Sequence, residues 1–541
     1  MNSKAHQTPY PQGACRLQKG RSISRATRQI PECRNHARPN RLTPCWIALL
    51  LFALSVLSST LSAVEPTIHG ASLGPELMYI QGNGDTWYAT WADDGDLYVT
   101  SDDTIGFSGN CVSKSRRPYV FVAVSRLRGD DPTHLTGETV NCLEAYDVPP
   151  DPRHNTSWKT TGITSIDGTL YLVVEQDTYE DAANLGRETA RNATILKSTD
   201  HGKTWSGSEA ESVTHPMFPG TRFGTPSFIQ YGRDGTDGVD GGETYVYAIS
   251  NDGSWDNGDS IVLGRVRRTD LPRLHGEDWE FYADGRWIHD LAQAKPILRE
   301  PNHLASASSM YVPGLRQYIL ASWYYPSCTG YSAPGCDVHR TRWVWYQAPK
   351  PWGPWTKFWE SEWFPAGYYN PILVNKFLSP DGTSGWVFSA GYFWDRTWYH
   401  LVAAPFMLDF APRTVINDSD LKAITYRGRW RFAKAGLGEY GGDIHYTADP
   451  AATVTLHFQG TGVRVLTDFA KDLGSVEVYL DGRPQGTASA HHDSGQNNTR
   501  LAQRVLWSGH RLAPGEHILE LRKRDGVYMV VDAFVVTRDA F

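Results

Sequence analysis

The sequence predicts an all-β chain, a five-bladed β-propeller followed by a β-sandwich. Three observations carry this prediction. Between residues 65 and 410 helical periodicity is nearly absent. Strand-like runs rich in Val, Tyr, Trp and Thr recur instead, among them 86–92, 97–101, 119–125, 169–174, 244–250, 317–323 and 397–404. Turn dipeptides separate the runs, including Asp94-Gly95, Asp167-Gly168, Pro313-Gly314 and Asp381-Gly382. Beyond Pro405–Pro412 the pattern changes to a shorter β unit at 415–541, where Ser475-Val-Glu-Val-Tyr-Leu480 alternates cleanly into Asp481-Gly482. About 345 residues before that change exceed one sandwich, and starts near 81, 160, 222, 303 and 369 divide them into five blade-sized units. Two of these open alike, with Thr225-Pro226-Ser227-Phe228-Ile229 and Asn370-Pro371-Ile372-Leu373-Val374.

The chain begins with a basic leader, residues 1–64. Its first 44 residues lack apolar periodicity, and CWIALLLFALSVLSSTLSA (45–63) then reads as a secretory signal peptide. An uncleaved anchor is the alternative, because the apolar run approaches the roughly 20 residues that span a bilayer. Both readings place residues 65–541 outside the cytoplasm. Cys15, Cys33 and Cys45 fall in the leader. The exported part keeps Cys111, Cys142, Cys328 and Cys336, for which the sequence-local pairing 111–142 and 328–336 is expected. Beyond residue 63 there are 58 Asp+Glu against 43 Lys+Arg, a balance that argues against nucleic-acid binding. Aromatics make up 12%, with 20 Trp and 27 Tyr, which suits stacking on sugar rings and equally suits strands and core.

Local motifs extend this reading. Ser198-Thr-Asp200-His201-Gly202-Lys-Thr204-Trp205 matches the Asp-box of sialidase-like propellers, in which Asp caps a hairpin turn and Gly takes the φ > 0 position. GDTWYATWADDGDLY (84–98), YVYAISNDGSWDNGDSIVLGRV (245–266), QAPKPWGPWTKF (347–358) and NPILVNKFLSPDGTSGWVFSAGYF (370–393) resemble a family of secreted five-bladed propellers of uncharacterised domain type. That family includes bacterial endo-D-arabinanases, and its fold is similar to that of arabinanases, xylosidases and fructosidases. The resemblance covers most of 77–405. It implies the fold more strongly than the substrate, since such scaffolds change substrates by changing loops.

Hydrolysis of a glycosidic bond needs two carboxyl groups, so acids flanking blade-initial strands are the candidates. Asp85 begins the first strand of the hairpin 81–107. With a two-residue primed turn at Asp94-Gly95, Asp102 shares the face of Asp85, Trp87 and Trp91, and a one-residue change substitutes Asp103. The resemblance places an acid in this segment, and Asp103 is preferred. Glu175 ends the apolar strand Leu170–Val174 of the second blade, with Asp177 competing, and Asp252 is the third-blade counterpart. Asp85, Asp103 and Glu175 are therefore the expected catalytic residues. Expected sugar contacts are Asp102, Trp87, Asp252, Trp255, Arg222, Asn302, His303, Trp323, Tyr324, Tyr368 and Asn370, the aromatics as platforms and the rest as hydrogen-bonding groups.

The loop Asp234–Glu243 spaces its acids every three residues, unlike an EF-hand loop, and reads as a solvated hairpin. No metal and no cofactor is expected. VEVYLDGRPQGT, LAPGEHILEL and YMVVDAFVV resemble the galactose-binding-like jelly rolls of secreted glycosidases, with Trp430, Tyr440 and Trp507 as candidate contacts. The whole then reads as a monomeric, exported glycoside hydrolase acting on a polysaccharide, an arabinan-type furanoside polymer in particular, with no membrane contact beyond a leader anchor. Two rivals stand beside it. One is a non-catalytic carbohydrate-binding propeller. The other is a sialidase-like exoglycosidase, which normally carries several Asp-boxes where one is present here.

Overall fold

β-Branched and aromatic residues fit a pleated, half-buried surface, and the chain uses them in strand after strand. The computed structural model describes residues 66–179, 188–207, 209–327, 335–361, 367–392, 398–493 and 500–538. The leader with its signal-peptide or anchor segment, and Cys328, lie outside them. Within the described residues, helix is confined to Glu209–Thr214 and isolated 3-10 turns, and no helix is long and apolar enough to cross a membrane.

After β1 (Gly70–Leu73) and β2 (Leu77–Asp85), strands follow in antiparallel meanders. The first holds β3 (Ala89–Trp91), β4 (Leu97–Gly106), β5 (Val120–Arg128) and β6 (Thr136–Asn141). The second is β7 (Thr156–Ile166), β8 (Thr169–Thr178) and β9 (Thr189–Ser198). The third runs β10 (Ser227–Gln230), β11 (Tyr245–Asn251), β12 (Ser260–Arg267) and β13 (Glu280–Ala283), with short β14 (Arg286–Ile288) and β15 (Leu298–Arg299) at its edge. The fourth is β16 (Ser308–Val312), β17 (Gln317–Tyr324), β18 (Arg342–Ala348) and β19 (Thr356–Glu360). The fifth has β20 (Tyr369–Val374), β21 (Ser384–Ala390) and β22 (His400–Asp409), and β1 fills its fourth place by pairing with β22.

The leading strands β3, β7, β10, β16 and β20 lie beside one another in that order, and β20 returns to β3. Their approach is close. A Cβ on Gly162 of β7 would sit 2.9 Å from the Pro226 carbonyl just before β10.

Turn chemistry explains most hairpins. Ile166 pairs with Thr169 across Asp167-Gly168, whose φ values of 52° and 73° make the primed turn that matches strand twist. Asp94-Gly95 differs from expectation. Trp91 pairs with Leu97, so the loop is residues 92–96, and only Gly95 of the dipeptide is left-handed. The cause is local: the Asp94 carboxylate accepts from the Asp96 N–H at 3.0 Å and from the Tyr98 hydroxyl at 2.8 Å, an Asx-type loop in place of a two-residue turn. The Asp-box segment forms as expected. Asp200 accepts from the Thr204 N–H and hydroxyl, Gly202 has φ 83°, and Trp205 packs on the neighbouring core.

Beyond residue 412 two antiparallel sheets face each other across one core that includes Val454, Leu456, Val465, Val478, Leu521 and Phe534. Val476, Val478 and Leu480 are buried while their neighbours are half-buried, the alternation read from the sequence. A third, small sheet joins Arg431–Lys434, Asp443–Thr447 and Met529–Val531. The disulfide Cys111–Cys142 closes β4 against β6.

Candidate active site

Among the described residues, Asp85, Asp102, Asp103, Glu175, Asp177 and Glu188 all act on one ammonium, that of Lys159 near the start of β7. Asp85 stands opposite Asp102 across β2 and β4, and Gly84 permits that approach: its φ is 124°, and a Cβ there would lie 2.8 Å from the Asp102 carbonyl oxygen. Both carboxyls are buried. Asp102 accepts from the Thr160 N–H at 2.9 Å and the Thr160 hydroxyl at 2.8 Å. Asp103 is paired through Oδ2 with Nζ of the buried Lys159. In a regular strand Asp102 and Asp103 would face opposite ways. Asp103 has φ 43°, which breaks the alternation and lets both carboxyls reach the start of β7. The choice between them that register arithmetic posed therefore dissolves.

Lys159 pairs across the strand with Glu175, and Ser157 with Asp177. A shift of register between Val174 and Gln176 re-aims Glu175. Glu175 is fully buried, with Oε2 accepting from the Arg191 N–H at 3.3 Å and Oε1 without a hydrogen-bond partner. Asp177 lies within hydrogen-bonding reach of Glu188. Asp85 accepts the Tyr369 hydroxyl, and Tyr399 lies beside it.

The electrostatics separate these acids. Burial raises Asp85 to about 6, with Lys159 and the phenols opposing and Asp103 adding to the rise. Burial likewise carries Asp102 well above the carboxylate range. Glu175 also lies well above it, by burial first and by the charges of Asp177 and Asp102 next. Burial raises Asp177 to about 7, with the charge of Asp103 adding to the rise and Lys159 opposing it, and burial with the charge of Asp177 carries Glu188 well above the ordinary carboxyl range. Burial alone would lower Lys159, but Asp103 and Asp85 reverse the sign and keep it charged. Three non-glycine residues at this locus, Thr86, Asp103 and Asn370, are left-handed (φ 52°, 43° and 53°), each costing about 1–3 kcal/mol that the surroundings must impose.

Other expected contacts are distributed unevenly. Trp255 sits by the cluster, its ring 5.8 Å from Lys159 Nζ. Asn370 is buried and follows Tyr369, with its amide nitrogen unpartnered. Trp323 packs 5.2 Å from the Tyr369 ring, behind the phenol that touches Asp85. The remainder are engaged elsewhere. Trp87 is core, edge-on to Phe107 and bonded to the Gly84 carbonyl. Asp252 holds the Asp259 N–H in its own loop. Arg222 donates to the Ala294 carbonyl at the surface. The Asn302 N–H donates to Asp259, and His303 lies 4.1 Å from Tyr324, whose hydroxyl donates to Glu360. Tyr368 points to Glu76 and Arg504 at the C-terminal sheets. Asp234 and Asp240 of the acidic loop accept from Ser165, Gly168 and Tyr318.

Sequence reasoning passed over Lys159, Thr160, Glu188, Tyr369 and Tyr399. One signal for Lys159 was present: a lone lysine inside Thr156-Ser-Trp-Lys-Thr-Thr161, an otherwise uncharged strand.

No protein-family model matches the chain, and no curated protein matches it. Solved structures do. An exo-β-1,3-galactanase from Phanerochaete chrysosporium is similar at 14% identity, over 85% of this chain and 100% of that one, with a TM-score of 0.35. A glycoside hydrolase family 43 arabinoxylan arabinofuranohydrolase from Bacillus subtilis is similar at 12%, over 85% and 96%, with a TM-score of 0.31. A xylan β-1,4-xylosidase from Bacillus halodurans is similar at 9%, over 85% and 100%, with a TM-score of 0.35. These likenesses concern the course of the backbone and say nothing of chemistry in this chain.

Proposed function

We propose that the protein is an exported glycoside hydrolase whose residues 65–410 form a five-bladed propeller and whose residues 415–541 form an appended sandwich. The carrying observation is that six acids from β2, β4, β8 and the residue before β9 share Lys159 of β7, in environments that set the proton affinities of several of them apart. Acid–base roles follow from such a separation. Glu175, kept protonated by burial and by its acidic neighbours, is the proton donor to the glycosidic oxygen. Asp103, ion-paired with Lys159 and partly open to solvent, is the carboxylate that attacks the anomeric carbon or takes a proton from the attacking water. Asp85, held by Tyr369, adjusts the charge around both and positions Lys159. The cyclic order of the leading strands supports the propeller. The resemblance of residues 77–405 to the endo-D-arabinanase-containing family supports an arabinan-type furanoside polymer as substrate.

The test is a screen for sugars released from plant and bacterial polysaccharides, followed by variants on the responsive substrate. Glu175→Gln and Asp103→Asn should each lower kcat by about 10²–10⁴-fold. An aryl glycoside with an activated leaving group should restore Glu175→Gln, which lacks only the proton, and leave Asp103→Asn inactive. Wild type that releases no sugar from any glycan, or Glu175→Gln with undiminished rate, overturns the proposal.

A further inference from the structure

We propose that residues 426–434, on the C-terminal sheets and apart from the acid cluster, form a binding surface for an anionic polysaccharide. The segment reads Tyr-Arg-Gly-Arg-Trp-Arg-Phe-Ala-Lys, with four cations and no acid, on a body where acids outnumber bases 58 to 43. Arg427, Arg431 and Lys434 are exposed, and among the described residues none of them reaches a carboxylate at ion-pair distance. The Arg429 side chain is 90% exposed and meets only Asp449, at 3.6 Å. The strip therefore carries cationic charge that the fold does not use.

Along the sequence these cations alternate with rings that the fold holds in place. Tyr426 stacks on His445 at 4.4 Å and 13°, and both are tethered to one residue: the Tyr426 hydroxyl donates to the Asp418 carbonyl at 2.8 Å, and His445 Nδ1 meets the Asp418 carboxylate at 2.6 Å. Trp430 packs 4.8 Å from Tyr426, with its indole N–H donating to the Arg427 carbonyl. Phe432 lies 5.3 Å from His445 and is 52% exposed. Tyr426 and Trp430 are half-buried against the C-terminal core and fixed by their own hydrogen bonds, and they support Phe432, the exposed ring of the group.

The chemistry of the occupant follows from the combination. Sugar rings stack their C–H faces on aromatics, and guanidinium groups meet carboxylate or phosphate substituents in a two-point hydrogen-bonding geometry. Arg431–Lys434 is also an edge strand, where cations repel other edges. That role alone requires neither the tethered ring stack nor a half-exposed Phe432. The charge selects an anionic glycan over a neutral one.

Affinity electrophoresis of the full chain through gels containing polygalacturonate, with dextran as the neutral control, tests this. Wild type should be retarded by polygalacturonate, not by dextran, and the retardation should fade with added salt. Arg429→Ala/Arg431→Ala should weaken binding about tenfold, and Phe432→Ala by a few-fold, with unchanged thermal melts. Glu175→Gln should bind as wild type, which separates this surface from the acid cluster. The proposal falls if wild type is not retarded, or if the double arginine variant is retarded equally. It also falls if vesicles of anionic phospholipid bind the strip in preference to the polyuronate.

Discussion

Two of the places where this molecule buries charge do so on opposite terms. At the seam between the β-meanders and the C-terminal sheets, each acid meets its own guanidinium. Glu76 and Arg504, both nearly inaccessible, form a two-point pair with Arg504 Nη2 donating to Oε1 at 2.7 Å, and Asp409 lies between Arg464 and Arg413. Around the start of β7, six carboxyls of the described residues share one ammonium. Burial of charge is common to both, so burial alone does not identify a functional site. The ratio does. A paired seam needs nothing further, whereas an unbalanced cluster stores proton affinity that chemistry can use.

The largest expected effect breaks the balance outright. Lys159→Met removes the cation that, among the described residues, all six acids share, and the fold should lose about 5 kcal/mol at pH 8, read from urea unfolding. The loss should shrink at pH 5, where the carboxyls take up protons. Arg504→Met strands a single buried carboxylate, Glu76, and should cost about 4 kcal/mol. If Lys159→Met proves no worse than Arg504→Met, the two regions do not differ in the way their geometry indicates.

A pH series sharpens the contrast. Asp85 binds its proton up to about pH 6 in the folded state, against 3.8 for an ordinary aspartate, and Asp177 up to about 7. Between those limits the folded protein holds protons that the unfolded chain has released. Unfolding then releases protons, so stability falls as pH rises from about 4 to about 7 and stays lowered above that. For Asp85 the deficit at pH 8 is on the order of 3 kcal/mol. Asp85→Asn should remove that part of the slope, so that its melting temperature approaches or exceeds wild type at pH 8 and does not at pH 4. A wild-type stability that climbs steadily from pH 4 to pH 8 would refute the raised affinities.

Much of this was legible in the sequence, and the rest was hidden for identifiable reasons. Strand runs, the primed turns at Asp167-Gly168 and Asp481-Gly482, and the alternating Val476-Val478-Leu480 follow from local rules, and the sheets obey them. Asp85, Asp102, Asp103 and Glu175 were all visible as acids at strand ends. Their mutual arrangement was not, because it depends on backbone that local rules disfavour: left-handed Thr86 and Asp103, and the shifted register at Glu175. Tyr368 and Tyr369 show the cost of one residue of register. The expected platform, Tyr368, faces Glu76, while its neighbour supplies the phenol on Asp85. Lys159 escaped notice because its meaning comes from other strands, which a linear reading does not bring beside it.

The smallest expected effect is also the most discriminating. Replacing both members of the seam pair, Glu76→Leu with Arg504→Met, removes two buried charges together and leaves apolar groups of similar bulk against Tyr368 and the neighbouring strands. Desolvation of an ion pair roughly offsets its Coulomb attraction, so the double variant should lie within about 1 kcal/mol of wild type although Arg504→Met alone is severe. No comparable rescue exists for Lys159, since neutralising one partner leaves five acids in place. Joint removal of Asp103 and Lys159 should therefore still destabilise at pH 8. A double seam variant as damaged as its single parent would mean that the Glu76–Arg504 pair does more than join two sheets.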